Sequence, residues 1–219
     1  MSTAVTADAG HMIGTPARAG RGCVSVSSDQ SSSGVTERDL DRRRVLYLIV
    51  CAAAPASQAG ALVELAQAAQ WDVWAIATPD ATAFIDLDEL AARTGHPVRT
   101  KYNRPGEPEG LPPADAIVVA PATLNTVSKW AAGICDTFAT GLLCEALGLD
   151  IPIAALPFVS DAQARHPAFA RSLRELRACG VRVPYGSEVP PRGASRRRGR
   201  VAAFPWRLAL QALDDADRS

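Results

Sequence analysis

The 219-residue sequence predicts a single-domain α/β protein, an open parallel sheet with helices on both faces. Three observations carry that expectation. Short continuous apolar runs such as "VLYLIV" and "AIVVA" have the composition of strands buried on both faces. Segments with helical spacing of apolar residues alternate with those runs. The connections between them are short, as in sheets built from right-handed crossovers.

Taken in order, the folded part opens at "RRRVLYLIVCAAA", with Val45 to Val50 as the first strand. "PASQAGALVELAQAAQ" follows as a helix, with Pro55 suited to its first turn and Leu62, Leu65 and Ala69 at helical spacing. "WDVWAIAT" (Trp71 to Thr78) reads as the second strand and "PDATAFIDLDELAARTG" as a helix ending at Gly95. Pro97 to Thr100 is a candidate short strand, and the Pro- and Gly-dense stretch Lys101 to Asp115 a loop. "AIVVA" (Ala116 to Ala120) is the next strand, followed by a helix from about Leu124. "DIPIAALP", "AFARSLRELRACG" and "VRVPYG" read as strand, helix and short final strand. An amphipathic helix at about 204–217 closes the chain.

Residues 1–43 are rich in Ser, Gly, Ala and Thr and lack both hydrophobic periods, so a disordered extension before a domain at 44–219 is expected. A start assigned too far upstream, with the true start near Val35, would explain it; N-terminal sequencing that finds Met1 or Ser2 in the native protein would sink that idea. The basic loop at about 187–200 reads as solvated. Lys plus Arg balance Asp plus Glu at 23 each, which gives no sign of a nucleic-acid partner. Five cysteines without a CxxC pair and three scattered histidines predict no zinc site and a reduced, cytoplasmic setting. No apolar run approaches the ~20 residues that span a membrane.

In open parallel sheets, ligands bind outside the carboxyl ends of the strands. Here those ends are "CAAAPAS", "ATPDATAF", "APATLNT" and "LPFVSDAQ". The first lacks the glycines and lysine of a dinucleotide fingerprint or P-loop. Helix starts at Ala54, Pro79 and Thr123 would still direct free N–H groups to one region, an arrangement suited to a single phosphate. Thr78 either adds a hydroxyl to that phosphate or simply caps a helix. Thr123, Asn125 and Thr126 behind Pro121 exceed what capping alone requires.

"APATLNTVSKWAAGICDTF" resembles the Pro-Ala-Ser-Ala-Asn-Thr motif, and the helix after it, of the homo-oligomeric flavin-containing cysteine decarboxylases. That family includes phosphopantothenoylcysteine decarboxylases and enzymes acting on C-terminal cysteines of lantibiotic-type peptides. The resemblance extends through "RVLYLIVCAAA", "ATPDATAFI" and "TGHPV" in the same order. It implies a flavodoxin-like, Rossmann-like fold that binds FMN and assembles as trimers or trimer-based oligomers. It also implies that Ala52, Ala53 and Thr78 meet the flavin phosphate and that Phe84 matches a family aromatic. Pro121, Ala122, Thr123, Asn125 and Thr126 would line the ring. The flavin would supply redox chemistry, and the protein its placement.

Departures accompany the match. The family's catalytic His falls at or beside Glu107, and His96 is not its counterpart. The family's Pro-x-Met-Asn-x-x-Met-(Trp/Tyr) clamp becomes "PFVSDAQA", with Ser160 in place of the Asn and Gln163 in place of the second Met. The reducing Cys of the pantothenate-pathway enzymes is replaced by Gly186 or Ser187. The remaining catalytic candidates are Asn125, Glu107 and Ser160. The expected function is an FMN-binding flavoprotein performing a redox or decarboxylation step on a small substrate; the alternative is a non-catalytic FMN-binding or regulatory subunit on the same scaffold.

Overall fold

The computed structural model describes residues 43–104, 106, 110–185 and 204–214. The expected extension at 1–43 falls, save its last residue, outside the described residues; the basic loop and the end of the closing helix lie outside them entirely. Four parallel strands form one sheet in the order β2-β1-β3-β4. They are β1 (Val45–Val50), β2 (Asp72–Ala77), β3 (Ala116–Ala122) and β4 (Ile153–Pro157). Every residue of β1, β3 and β4 is buried, which explains their unbroken apolar runs.

Side chains alternate across a strand, so each strand feeds two cores. Leu46, Leu48 and Val50 join Val73, Val118 and Leu156 on one face. There they meet Leu62 and Val63 of α1 (Gly60–Ala68), Leu90 of α2 (Leu87–Thr94) and Trp206 of α7 (Trp206–Asp214). Val45, Tyr47 and Ile49 join Ile117, Val119 and Ile153 on the other face. Their cover is Val127 and Trp130 of α3 (Leu124–Ala131), Leu143 of α4 (Phe138–Gly148), and Phe169 and Leu173 of α6 (Pro167–Ala178). Each such leucine or isoleucine contributes about 1.5–3 kcal/mol by leaving water.

Several expected elements are subdivided. The first helix opens with a separate 3-10 turn at Ala54–Gln58, and the second with one at Pro79–Ala83. Asp86 then restarts α2, its side chain accepting from the Glu89 N–H, and Gly95 ends it in the left-handed region at φ 79°. The helix from Leu124 stops at Ala131; Gly133 turns the chain at φ 69° and Thr137 caps α4. The candidate strands at 97–100 and in "VRVPYG" shrink to single bridges, Ile76 with Arg99 and Ala154 with Arg182. Pro97 and Pro184, which have no N–H to donate, flank those pairings.

Candidate functional site at the strand ends

Backbone bonding continues past the last regular pairs and holds the strand ends side by side. The Thr78 N–H donates to the Val50 carbonyl at 3.0 Å, Cys51 to Pro121 at 3.2 Å and Phe158 to Ala122 at 2.8 Å. The chain segments leaving β1, β2 and β3 therefore start from neighbouring points. Between them lies a cleft of about 370 Å³. Ala52, Thr78, Thr123, Asn125 and Thr126 all border it.

Thr123 is the N-cap of α3; its Oγ1 accepts from the Thr126 N–H at 3.4 Å and lies 3.2 Å from Thr126 Oγ1. Beneath this pair is the fully buried Cys51. Burial pushes its thiol pKa up, while hydrogen bonds with Thr126 and Thr123 pull partly the other way, so it stays a neutral thiol. Asn125 is exposed on the first turn of α3. Thr78 differs from an ordinary cap residue. It is only 9% exposed, it precedes the 3-10 turn at Pro79, and its side chain makes no cap bond. Among the described residues its hydroxyl has no hydrogen-bond partner.

The cleft has a second set of walls that sequence reasoning missed. The turn at Gly133 brings the start of α4 alongside α3, so Asp136, Thr137 and Thr140 border the same space as Lys129. Thr137 and Thr140 cap each other's backbone reciprocally. Lys129 Nζ lies 2.5 Å from Asp136 Oδ2. Hydrogen bonding to that ammonium holds the Asp136 carboxyl below the usual carboxylate range. Two helix N-termini, of α3 and α4, thus open into one cleft, and their free N–H groups favour an anion. Gln163, from α5 (Asp161–Ala164), completes the wall beside β4.

Other anticipated residues lie elsewhere. Ala53 is buried at the cap of the first 3-10 turn, and Pro121 and Ala122 are buried within β3; none of the three borders the cleft. Phe84 is 44% exposed, at the end of the second 3-10 turn and away from the cleft walls. Ser160 caps α5 and does not border the cleft. Glu107, Gly186 and Ser187 lie outside the described residues. His96 stacks on Trp74 with ring centroids 3.8 Å apart and bonds Asp72 Oδ1 at 2.7 Å. Asp72 is the first residue of β2, so this cluster sits at the opposite end of the strand from the cleft.

A groove of similar volume, about 370 Å³, runs between α1 and α2. It is acidic overall, with Glu64, Asp86 and Glu89 against the single guanidinium of Arg93, which bonds both glutamates. Among the described residues no cluster of metal-binding side chains occurs, and no helix is long and apolar enough to cross a membrane.

The fold is an open parallel sheet with a cleft at its strand ends, and comparison with known proteins gives the class. The model of the Flavoprotein family matches residues 33–192, and the chain belongs to that family. It is 32% identical over 117 residues to the coenzyme A biosynthesis bifunctional protein CoaBC of Thermococcus kodakarensis. It is 38% identical over 76 residues to phosphopantothenoylcysteine decarboxylase of Mus musculus. These matches cover 50% and 34% of this chain but only 28% and 37% of those proteins. Among solved structures, the FMN-dependent cysteine decarboxylase TvaF from thioviridamide biosynthesis superposes with a TM-score of 0.60 at 23% identity. That match covers 79% of this chain and 99% of TvaF, and it establishes a shared fold.

Proposed function

We propose that the strand-end cleft binds FMN and that the chain carries out a flavin-dependent redox or decarboxylation step on a small substrate. The observation that carries this reading is the Thr78 hydroxyl, which makes no cap bond and borders a cleft into which two helices direct their N-termini. That hydroxyl has a proton to donate, and a phosphate oxygen would accept it. The residues present fit the group: Ala52 lets the backbone approach closely, and Thr78 with the α3 N-terminus would hold the phosphate. Asn125 and Thr126, on the first turn of α3, would meet the ring. Bound there, FMN would supply electron-accepting chemistry that no side chain of this chain provides.

Within that frame the protein's own residues bind and orient. Lys129 fixes Asp136, and the Thr137–Thr140 pair fixes the start of α4, so the cleft is set before a ligand enters. Family membership, together with the activities of the relatives, supports a thiol-bearing acid as the first substrate class to try. We also propose a homo-oligomer built on trimers and a cytoplasmic location, with residues 1–43 as an extension outside the domain. Asn125 and Glu107 remain the catalytic candidates. Ser160 is weaker in that role, because its oxygen already accepts from the Gln163 N–H.

That same self-satisfied Ser160–Gln163 turn favours one competing reading, a non-catalytic FMN-binding subunit whose substrate side has been closed off. An absorbance spectrum of the purified protein incubated with FMN, followed by mass identification of what heat releases, tests the cofactor assignment. Bound FMN is expected; a protein that stays colourless removes the proposal. Carbon dioxide release from a peptide ending in cysteine, or from phosphopantothenoylcysteine, favours the enzyme. FMN-loaded protein inert to both, and found in a stable hetero-oligomer, favours the subunit.

A further inference from the structure

Two of the described cysteines meet next to the cleft wall that the start of α4 provides. Cys135 is exposed, in the turn that Gly133 makes at φ 69°, and directly precedes Asp136. Its thiol donates to the Gly133 carbonyl at 3.6 Å. Cys144 projects from α4, partly buried against the core that α3, α4 and α6 cover. The two thiols approach to within hydrogen-bonding contact, although they lie in separate elements.

Their surroundings give them different parts to play. Thiol–disulfide exchange begins with attack by a thiolate, and access decides which thiol reacts with a dissolved reagent. Cys135 is open to solvent. Burial pushes the Cys144 thiol up to about 11, with Cys135 adding to the shift. At neutral pH Cys144 is therefore a protonated, half-shielded thiol held against the accessible one. The chain between them carries Asp136, Thr137 and Thr140, which all border the cleft. A bond between the two sulfurs would close a loop around that wall.

We propose that Cys135 and Cys144 form a reversible dithiol site, which a low-molecular-weight disulfide converts to an intramolecular disulfide. In the first step the Cys135 thiolate attacks one sulfur of the reagent. The reagent's S–S bond breaks, a mixed disulfide forms and one thiolate departs. In the second step Cys144 loses its proton to water and its sulfur attacks Cys135. The mixed disulfide breaks, the internal S–S bond forms and the second thiolate departs. The two protein thiols are oxidised by two electrons and the reagent is reduced to two thiols; excess thiol reverses the exchange. In a reducing compartment such a bond is transient and redox-sensing. The site requires no cofactor, so it stands or falls independently of FMN binding.

The test incubates the full chain, reduced beforehand, with oxidised glutathione. Remaining thiols are blocked with N-ethylmaleimide under denaturing conditions, and the protein is digested with trypsin without reduction. Residues 130–165 form one tryptic peptide that holds these two cysteines and no other. Wild type should yield that peptide unblocked, free of glutathione and lighter by two hydrogens, and dithiothreitol should restore both thiols. Cys144→Ser lacks the second thiol and should retain glutathione on Cys135. In Cys135→Ser, Cys144 should take up glutathione at least tenfold more slowly than Cys135 does in Cys144→Ser. Wild type that retains glutathione on Cys135, leaves both thiols free, or joins Cys135 to a second chain overturns the inference. So does equal uptake of glutathione by the two single variants. The wild-type peptide is decisive even where a variant fails to fold.

Discussion

Replacing Thr78 with valine removes one hydroxyl and keeps the branched shape of a side chain that is only 9% exposed. In the unliganded protein that hydroxyl makes no cap bond, so its loss breaks nothing. Stability should therefore hold, because the cleft-facing hydroxyl has no bond to lose. FMN binding should weaken. A hydrogen bond to a charged phosphate contributes about 1.5–3 kcal/mol, and 1.4 kcal/mol is a factor of ten. The dissociation constant should therefore rise roughly 10- to 150-fold, measured by quenching of flavin fluorescence on titration. Urea unfolding of the apoprotein supplies the control. Unchanged FMN affinity in a variant that folds normally would refute the assignment of Thr78 to the phosphate.

Three other outcomes follow from the same geometry. Gly141 lies in α4 where an added Cβ would overlap the Tyr102 hydroxyl; Tyr102 is 61% exposed, so its ring, packed edge-on against Phe138, can shift toward solvent. Gly141→Ala should thus gain helix propensity, about 0.8–1 kcal/mol in urea unfolding, and a net loss would mean that the Tyr102 contact matters more. The Cys144 thiol pKa is pushed up to about 11 by burial, with Cys135 adding to the shift, and burial also raises Cys51. Among the described cysteines, iodoacetamide at pH 8 should therefore label the exposed Cys135 and Cys179 before Cys51 and Cys144, as read by peptide mass mapping; early labelling of Cys51 would contradict its burial. Hydrogen bonding to Lys129 depresses the Asp136 pKa. The stability Asp136 contributes is then fully present above the unfolded carboxylate value of about 4 and fades as pH falls through the depressed folded value. Asp136→Asn should lose stability at pH 6 but little at the acid end, and an equal loss at both in thermal melts would disprove the pairing.

The sheet was readable because β1, β3 and β4 are buried on both faces, which leaves runs such as "AIVVA" with no polar interruption. Expecting a cleft at the strand ends needed no more than the parallel order. Thr78, Thr123, Asn125 and Thr126 do converge there, because the Thr78–Val50 and Cys51–Pro121 bonds hold adjacent strand ends together. The break between α3 and α4 was obscured because Ile134 and Cys135 continue an apolar texture through the turn. Gly133 and the Thr137-x-x-Thr140 spacing were the available signals. Missing that break hid the whole Lys129–Asp136–Thr137 wall. Gln163 was legible only as a lost methionine; its capping bonds with Ser160 emerge from the fold. Phe84 matched by sequence order alone, and order does not reveal that the chain turns it outward.

The central claim is that FMN occupies the strand-end cleft. A crystal structure of the protein grown with FMN tests it most directly. A phosphate oxygen within about 3 Å of Thr78 Oγ1, with the ring against the first turn of α3, is the expected result. A flavin seated in the groove between α1 and α2, with Thr78 still unpartnered, would contradict it.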